Sequence, residues 1–159
     1  MKLLPVAIAA LLACSGCANA ANNPSPNIPC TLPGADAQTF LSIDVMAPEI
    51  KAALARQFGD PTGQRIAMAP RDGNFNIGDA LDEETVNWPF HRFIQGGRSG
   101  DRWYVWYEYG GIAYGVRAEI FDLPKQASAP QMLFDQSVSS AEICKTTLNY
   151  LGGAPASGG

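Results

Sequence analysis

Apolar and polar positions recur along this chain with enough regularity to place most of its elements. Leu41, Ile43 and Val45 alternate with Ser42 and Asp44, which predicts a short strand. A helix over about 48–58 follows. Pro48 suits a first helical position, Glu49 suits the positive end, and Ile50, Leu54 and Phe58 make an i, i+4, i+8 stripe. Gly59 and Pro61 end it. Residues 90–95 predict a strand, joined by the polar loop 96–101 to a hairpin whose arms, 102–109 and 112–121, flank Gly110-Gly111, a two-residue turn signal. Pairing Tyr109 with Ile112 puts Tyr107 opposite Tyr114, Val105 opposite Val116 and Trp103 opposite Ala118 on a core face. The second face then carries Tyr104 opposite Arg117, Arg102 opposite Glu119, and the Trp106 ring over Gly115. Residues 66–68 and 132–134 are further short strand candidates.

A final helix over about 140–151 is announced by the capping box Ser139-Ser140-Ala141-Glu142, with Val138 and Ile143 at the staple positions. Its apolar stripe is Ala141, Cys144, Leu148 and Leu151, and Gly152 stops it. The sum is an α+β fold: an antiparallel sheet of about four to six strands with an N-terminal and a C-terminal helix packed on one face.

The apolar pattern at the start has another meaning. Met1-Lys2 followed by the run 3–13 suits a signal peptide and is too short to span a bilayer, which takes about 20 apolar residues. Leu11-Leu12-Ala13-Cys14 resembles a bacterial lipobox, making Cys14 the candidate for lipidation, with Cys17 a second. Ala18-Asn19-Ala20 is a competing cleavage site before Ala21. Both routes export the protein: the first anchors it by lipid on the periplasmic side of the cell envelope, and the second leaves it soluble in the periplasm or secreted. Residues 21–38, rich in Asn, Pro, Ala and Ser, read as an extended tether, 39–151 as one globular domain, and 152–159 as a tail. Cys30 and Cys144 remain as a disulfide pair for an oxidising compartment. Closing a loop of that length contributes about 4–5 kcal/mol in the chain-entropy model.

Composition narrows the chemistry. Lys and Arg number 11 against 15 Asp and Glu, a net charge of −4. No basic run interrupts the acidic balance, which disfavours nucleic acid and anionic lipid surfaces as partners. The one histidine, His91, excludes multi-histidine metal sites and H-E-x-x-H, and no cofactor motif occurs. A hydrolase would have to combine His91 with carboxylates of the acidic loop, where Asp79, Asp82, Glu83 and Glu84 lie. Asp72, Asn74, Asn76 and Glu83 occupy positions 1, 3, 5 and 12 of a calcium-loop spacing, although Ile77 stands where that loop takes glycine. The hairpin face of Tyr104, Trp106, Arg102 and Arg117 forms an amphipathic platform for a protein or sugar if solvent reaches it. A helix, or the loop 70–89, would otherwise cover it.

Phe58-Gly59-Asp60-Pro61 at a helix end, followed by Trp103-Tyr104-Val105 in a strand meander, resembles the small lipoprotein family of the outer-membrane barrel-assembly machine. The resemblance covers about a third of the chain. The intervening stretch, the paired cysteines and the second helix depart from that pattern, so it assigns no site residues. The leading expectation is a non-catalytic envelope protein, inhibitor-like or an assembly accessory, that binds a protein or cell-wall component. A small periplasmic hydrolase and a structural lipoprotein without a ligand are the alternatives.

Overall fold

The computed structural model of the protein describes residues 24–59 and 65–152. Five strands form an antiparallel meander in chain order: β1 (Gln38–Phe40), β2 (His91–Ser99), β3 (Arg102–Tyr109), β4 (Gly115–Asp122) and β5 (Gln131–Ser137). Helices α1 (Pro48–Gln57) and α2 (Ile143–Leu151) complete an α+β fold.

The helices lie on opposite faces of the sheet, not together on one. The reason is in β3, where Trp103, Tyr104, Val105, Trp106 and Tyr107 are all buried, so both faces need cover. Trp103, Val105 and Tyr107 meet Ile50 and Leu54 of α1 together with Phe93 and Phe121. Tyr104 and Trp106 meet Ile143 and Leu151 of α2, with Val116, Ala118 and Ile120.

The hairpin register differs from the one read off Gly110-Gly111. Tyr109 pairs with Gly115, Tyr107 with Arg117 and Trp106 with Ala118, a shift of three residues from the expected pairing. An odd shift exchanges the faces of β4, so Arg117 and Glu119 join Tyr107 on the α1 side. The two glycines are not the turn. Gly110 N donates to Phe90 O at 2.8 Å and Gly111 N to Ile77 O at 2.9 Å. A Cβ on Gly110 would lie 1.8 Å from Asn76 O, so glycine is needed there for a close backbone approach. The reversal falls beyond it, with Ile112 96% exposed. It is the Tyr109 ring, not that of Trp106, that lies against Gly115.

Three other elements moved. The expected strand at 41–45 is a 3-10 turn, Ile43–Val45, in which Ser42 Oγ accepts from Asp44 N. This local bond competes with strand pairing, and β1 forms just before it. Residues 66–68 make no strand; Ala69 alone bridges Arg92 in parallel. In α2 the buried stripe is Ile143, Thr147 and Leu151, while Ala141 is exposed. The helix is turned so that Thr147 meets Trp106.

The Cys30–Cys144 disulfide forms, with a Cα–Cα distance of 5.5 Å. It fastens the segment before β1 to α2. That segment has no helix or strand from residue 24 to 37, yet Ile28 is buried in the α2-side core. The signal run, Cys14, Cys17, the cleavage site at 18–20, Pro61 and the residues from 153 onward lie outside the described residues. Among the described residues, no helix is long and apolar enough to cross a membrane.

Candidate functional site

The aromatic face, a platform only if solvent reaches it, is covered by α2 and interior. Tyr104 and Trp106 have no exposed surface. Trp106 Nε1 donates to Thr147 Oγ1 of α2 at 2.8 Å, and Gln95 Nε2 donates to Tyr104 Oη at 2.7 Å. The apolar side of α2 needed cover, and this face supplies it. Arg102 pairs with Asp122 at 2.9 Å at the sheet's end, and Arg117 lies on the other face. The four residues therefore form no common surface.

The acidic loop uses its own polar groups. Asp72 Oδ1 accepts from Ser25 N at 2.7 Å, and buried Asn76 donates its amide to Thr85 O and Trp88 O. Asn74 and Glu83 are exposed. Asp82 Oδ1 accepts from Thr85 N, Thr85 Oγ1 and Glu84 N, which holds its carboxyl below the ordinary range. Among the described residues, no three His, Cys, Asp or Glu gather into a metal-binding group.

A site does assemble at the C-terminal end of α1. Gln57, Phe58, His91, Tyr107, Tyr109 and Arg117 line a cleft of about 560 Å³. The stripe Ile50, Leu54 and Phe58 carries the helix end onto the sheet. His91 opens β2 opposite Tyr109, which closes β3, and Arg117 of β4 sits beside Tyr107. The Phe58 ring lies 4.5 Å from His91 and 5.3 Å from Tyr107, and His91 and Tyr107 meet edge-on at 5.6 Å.

Beneath this lining is Glu119, with no exposed surface. Its Oε1 accepts from Tyr107 Oη at 2.6 Å and from Gln57 Nε2 at 2.7 Å. Its Oε2 is the one buried side-chain polar atom among the described residues without a hydrogen-bond partner. Burial pushes the carboxyl up to about 7, against the opposing effect of the Tyr107 hydrogen bond.

Neighbouring groups respond in turn. Burial, helped by the charge of Arg117, holds His91 below its ordinary value. Burial and then Glu119 push Tyr107 up, and the hydrogen bond to Asp135 pushes Arg117 up. The cleft thus offers an imidazole held toward its neutral form, the Tyr109 phenol and a permanent cation, above a carboxyl poised near neutrality.

Comparison with known proteins returned no significant match to any family model, curated protein or solved structure. The site therefore stands on its geometry.

Reading the sequence placed His91 on a strand and named Arg117, but missed Glu119 and the cleft. The signal was present: Glu119 interrupts an apolar strand between Ala118 and Ile120. With the register shifted by three, it fell on the Tyr104–Trp106 face; in the true register it points beneath α1.

Proposed function

We propose that the protein is an exported envelope domain that binds a small polar ligand in the His91–Arg117 cleft. The observation that carries this reading is the buried Glu119 carboxyl, whose Oε2 has no hydrogen-bond partner, lying below aromatic and cationic lining. Buried polar groups are nearly always matched, and perturbed carboxyls concentrate at functional sites. Half-buried Phe58 and Tyr109 offer ring surface, and Arg117, whose Nε is paired with Asp135, offers its remaining N–H groups for charge-assisted hydrogen bonds. That combination suits a cell-wall fragment bearing sugar rings and a carboxylate. The apolar run 3–13 and the Cys30–Cys144 disulfide support an extracytoplasmic location, with Cys14 as the anchor.

The test is an NMR titration of the protein with muropeptides released from peptidoglycan. Amide shifts should cluster at Gln57, Phe58, His91, Tyr109 and Arg117, and Tyr109→Ala should weaken binding at least tenfold. Shifts elsewhere, or none, would refute the site.

A second reading, hydrolysis in the same cleft, is favoured by His91 in the lining, packed against the Tyr107 ring whose hydroxyl binds the buried Glu119 carboxyl. Chromatography of the same mixture separates the two. Binding without new products supports the binding module. Products that disappear in Glu119→Gln support the enzyme.

A further inference from the structure

A second groove, of about 710 Å³, lies away from the cleft, between the 3-10 turn with the start of α1 on one side and residues 65–71 on the other. Ile43, Ile66 and Met68 make an aliphatic floor, partly buried against the α1-side core. Lys51, Arg65 and Arg71 line its rim, where Asp44 is the one acidic residue among the described residues. Three of the 11 basic residues therefore converge on one groove in a chain of net charge −4.

Two of these cations are held chiefly by neutral acceptors. Lys51 Nζ donates to Asp44 O at 2.9 Å and Arg71 Nη1 to Ile94 O, while the nearest carboxylate contact of Arg71 is Asp72 at 3.8 Å. Carbonyl oxygens orient these side chains without cancelling their charge. Leu41, 59% exposed, extends the apolar surface to the groove's mouth. Among the described residues, the lining has no aromatic ring on which a sugar or base would stack. It suits methylene groups.

We propose that this groove binds a single-chain amphiphilic anion. The acyl chain lies along Ile43, Ile66 and Met68, and a carboxylate or phosphate head sits among Lys51, Arg65 and Arg71. The proposal rests on charge complementarity joined to an aliphatic trough of ligand size, and it does not depend on the His91–Arg117 cleft.

The test is calorimetric titration of the purified protein with laurate and with dodecyl phosphate, both below their micellar concentrations. Dodecyl maltoside, octyl phosphate and inorganic phosphate serve as comparisons. The expected result is one site of micromolar affinity for at least one dodecyl anion, and which head is preferred identifies the source as fatty acid or phospholipid-derived. The neutral maltoside should bind at least tenfold more weakly than that anion. If the phosphate head binds, octyl phosphate should be at least tenfold weaker, since each buried methylene strengthens binding several-fold, and inorganic phosphate weaker still.

Lys51→Glu and Arg65→Glu should each weaken the anion at least tenfold in variants that circular dichroism shows to be folded, and Tyr109→Ala should leave it untouched. Equal binding of the neutral amphiphile, inorganic phosphate as tight as dodecyl phosphate, insensitivity to both charge reversals, or no binding would each overturn the proposal.

Discussion

Glu108 and Glu119 sit on neighbouring strands, pointing to opposite faces of the sheet, and both are sealed from solvent. Glu108 receives Arg92 Nε at 2.7 Å on one oxygen and Arg92 Nη2 at 3.0 Å on the other, and Tyr114 Oη adds a third bond at 2.7 Å. The guanidinium also lies over the Phe75 ring, 4.4 Å from its centroid. Glu119 receives two bonds, both on Oε1 and both from neutral donors, and nothing on Oε2. A buried carboxylate costs several kcal/mol unless charge and hydrogen bonds offset the loss of water. The first site meets that condition and belongs to the scaffold. The second does not, and its position beneath an open cleft is where a protein can use a strained proton equilibrium.

The largest expected effect breaks the matched site. Arg92→Ala strands the Glu108 charge in the interior and should cost about 3–5 kcal/mol in urea unfolding. A loss below about 1 kcal/mol would show that the pair is not structural. Removing the α2-side staple should come next. Replacing Cys30 and Cys144 together by Ala should cost about 2–5 kcal/mol, with the midpoint falling while the sheet's circular dichroism is retained at low temperature.

Glu119→Gln acts in the other direction. The folded carboxyl near 7 lies above its ordinary value of 4.5, so its contribution to stability is full below about 4.5 and is lost as pH rises through about 7. The glutamine variant should therefore match the wild type at pH 4 and exceed it at pH 8 by up to about 3 kcal/mol. His91, shifted the opposite way, loses stability on acidification but does so in both proteins, so the difference isolates Glu119. Stability curves that stay parallel from pH 4 to 8 would remove the mismatch. The smallest effect is Thr147→Val, which leaves the Trp106 indole N–H unmatched under α2 and should cost about 1–2 kcal/mol in urea unfolding. A neutral outcome would mean that water replaces the threonine.

These residues also show which parts of the fold local pattern can convey. Strands β2 to β5, helix α1 and the Cys30–Cys144 pair follow from apolar runs, caps and cysteine counting, because each signal lies within a short stretch of chain. The hairpin register did not follow. Gly110-Gly111 has the chemistry of a turn, but its lack of side chains serves the approach of Asn76 and Ile77, a contact between distant segments. That one ambiguity carried Arg117 and Glu119 to the wrong face, while Trp106 is buried for a separate reason: the two helices cover opposite faces of the sheet, not one. The candidate site was legible as single residues, His91 and Arg117, and illegible as a group, because Phe58, His91, Tyr107 and Arg117 meet only through tertiary pairing.

The central claim is that Glu119 is a mismatched carboxyl under the cleft. Its most direct test is a carbon-13 NMR titration of the Glu119 side-chain carboxyl, assigned by Glu119→Gln. A midpoint near 7, with His91 and Tyr109 resonances moving alongside it, is the predicted result. A midpoint near 4.5 would mean that Glu119 is matched in solution, and the cleft would lose the feature that marks it as a site.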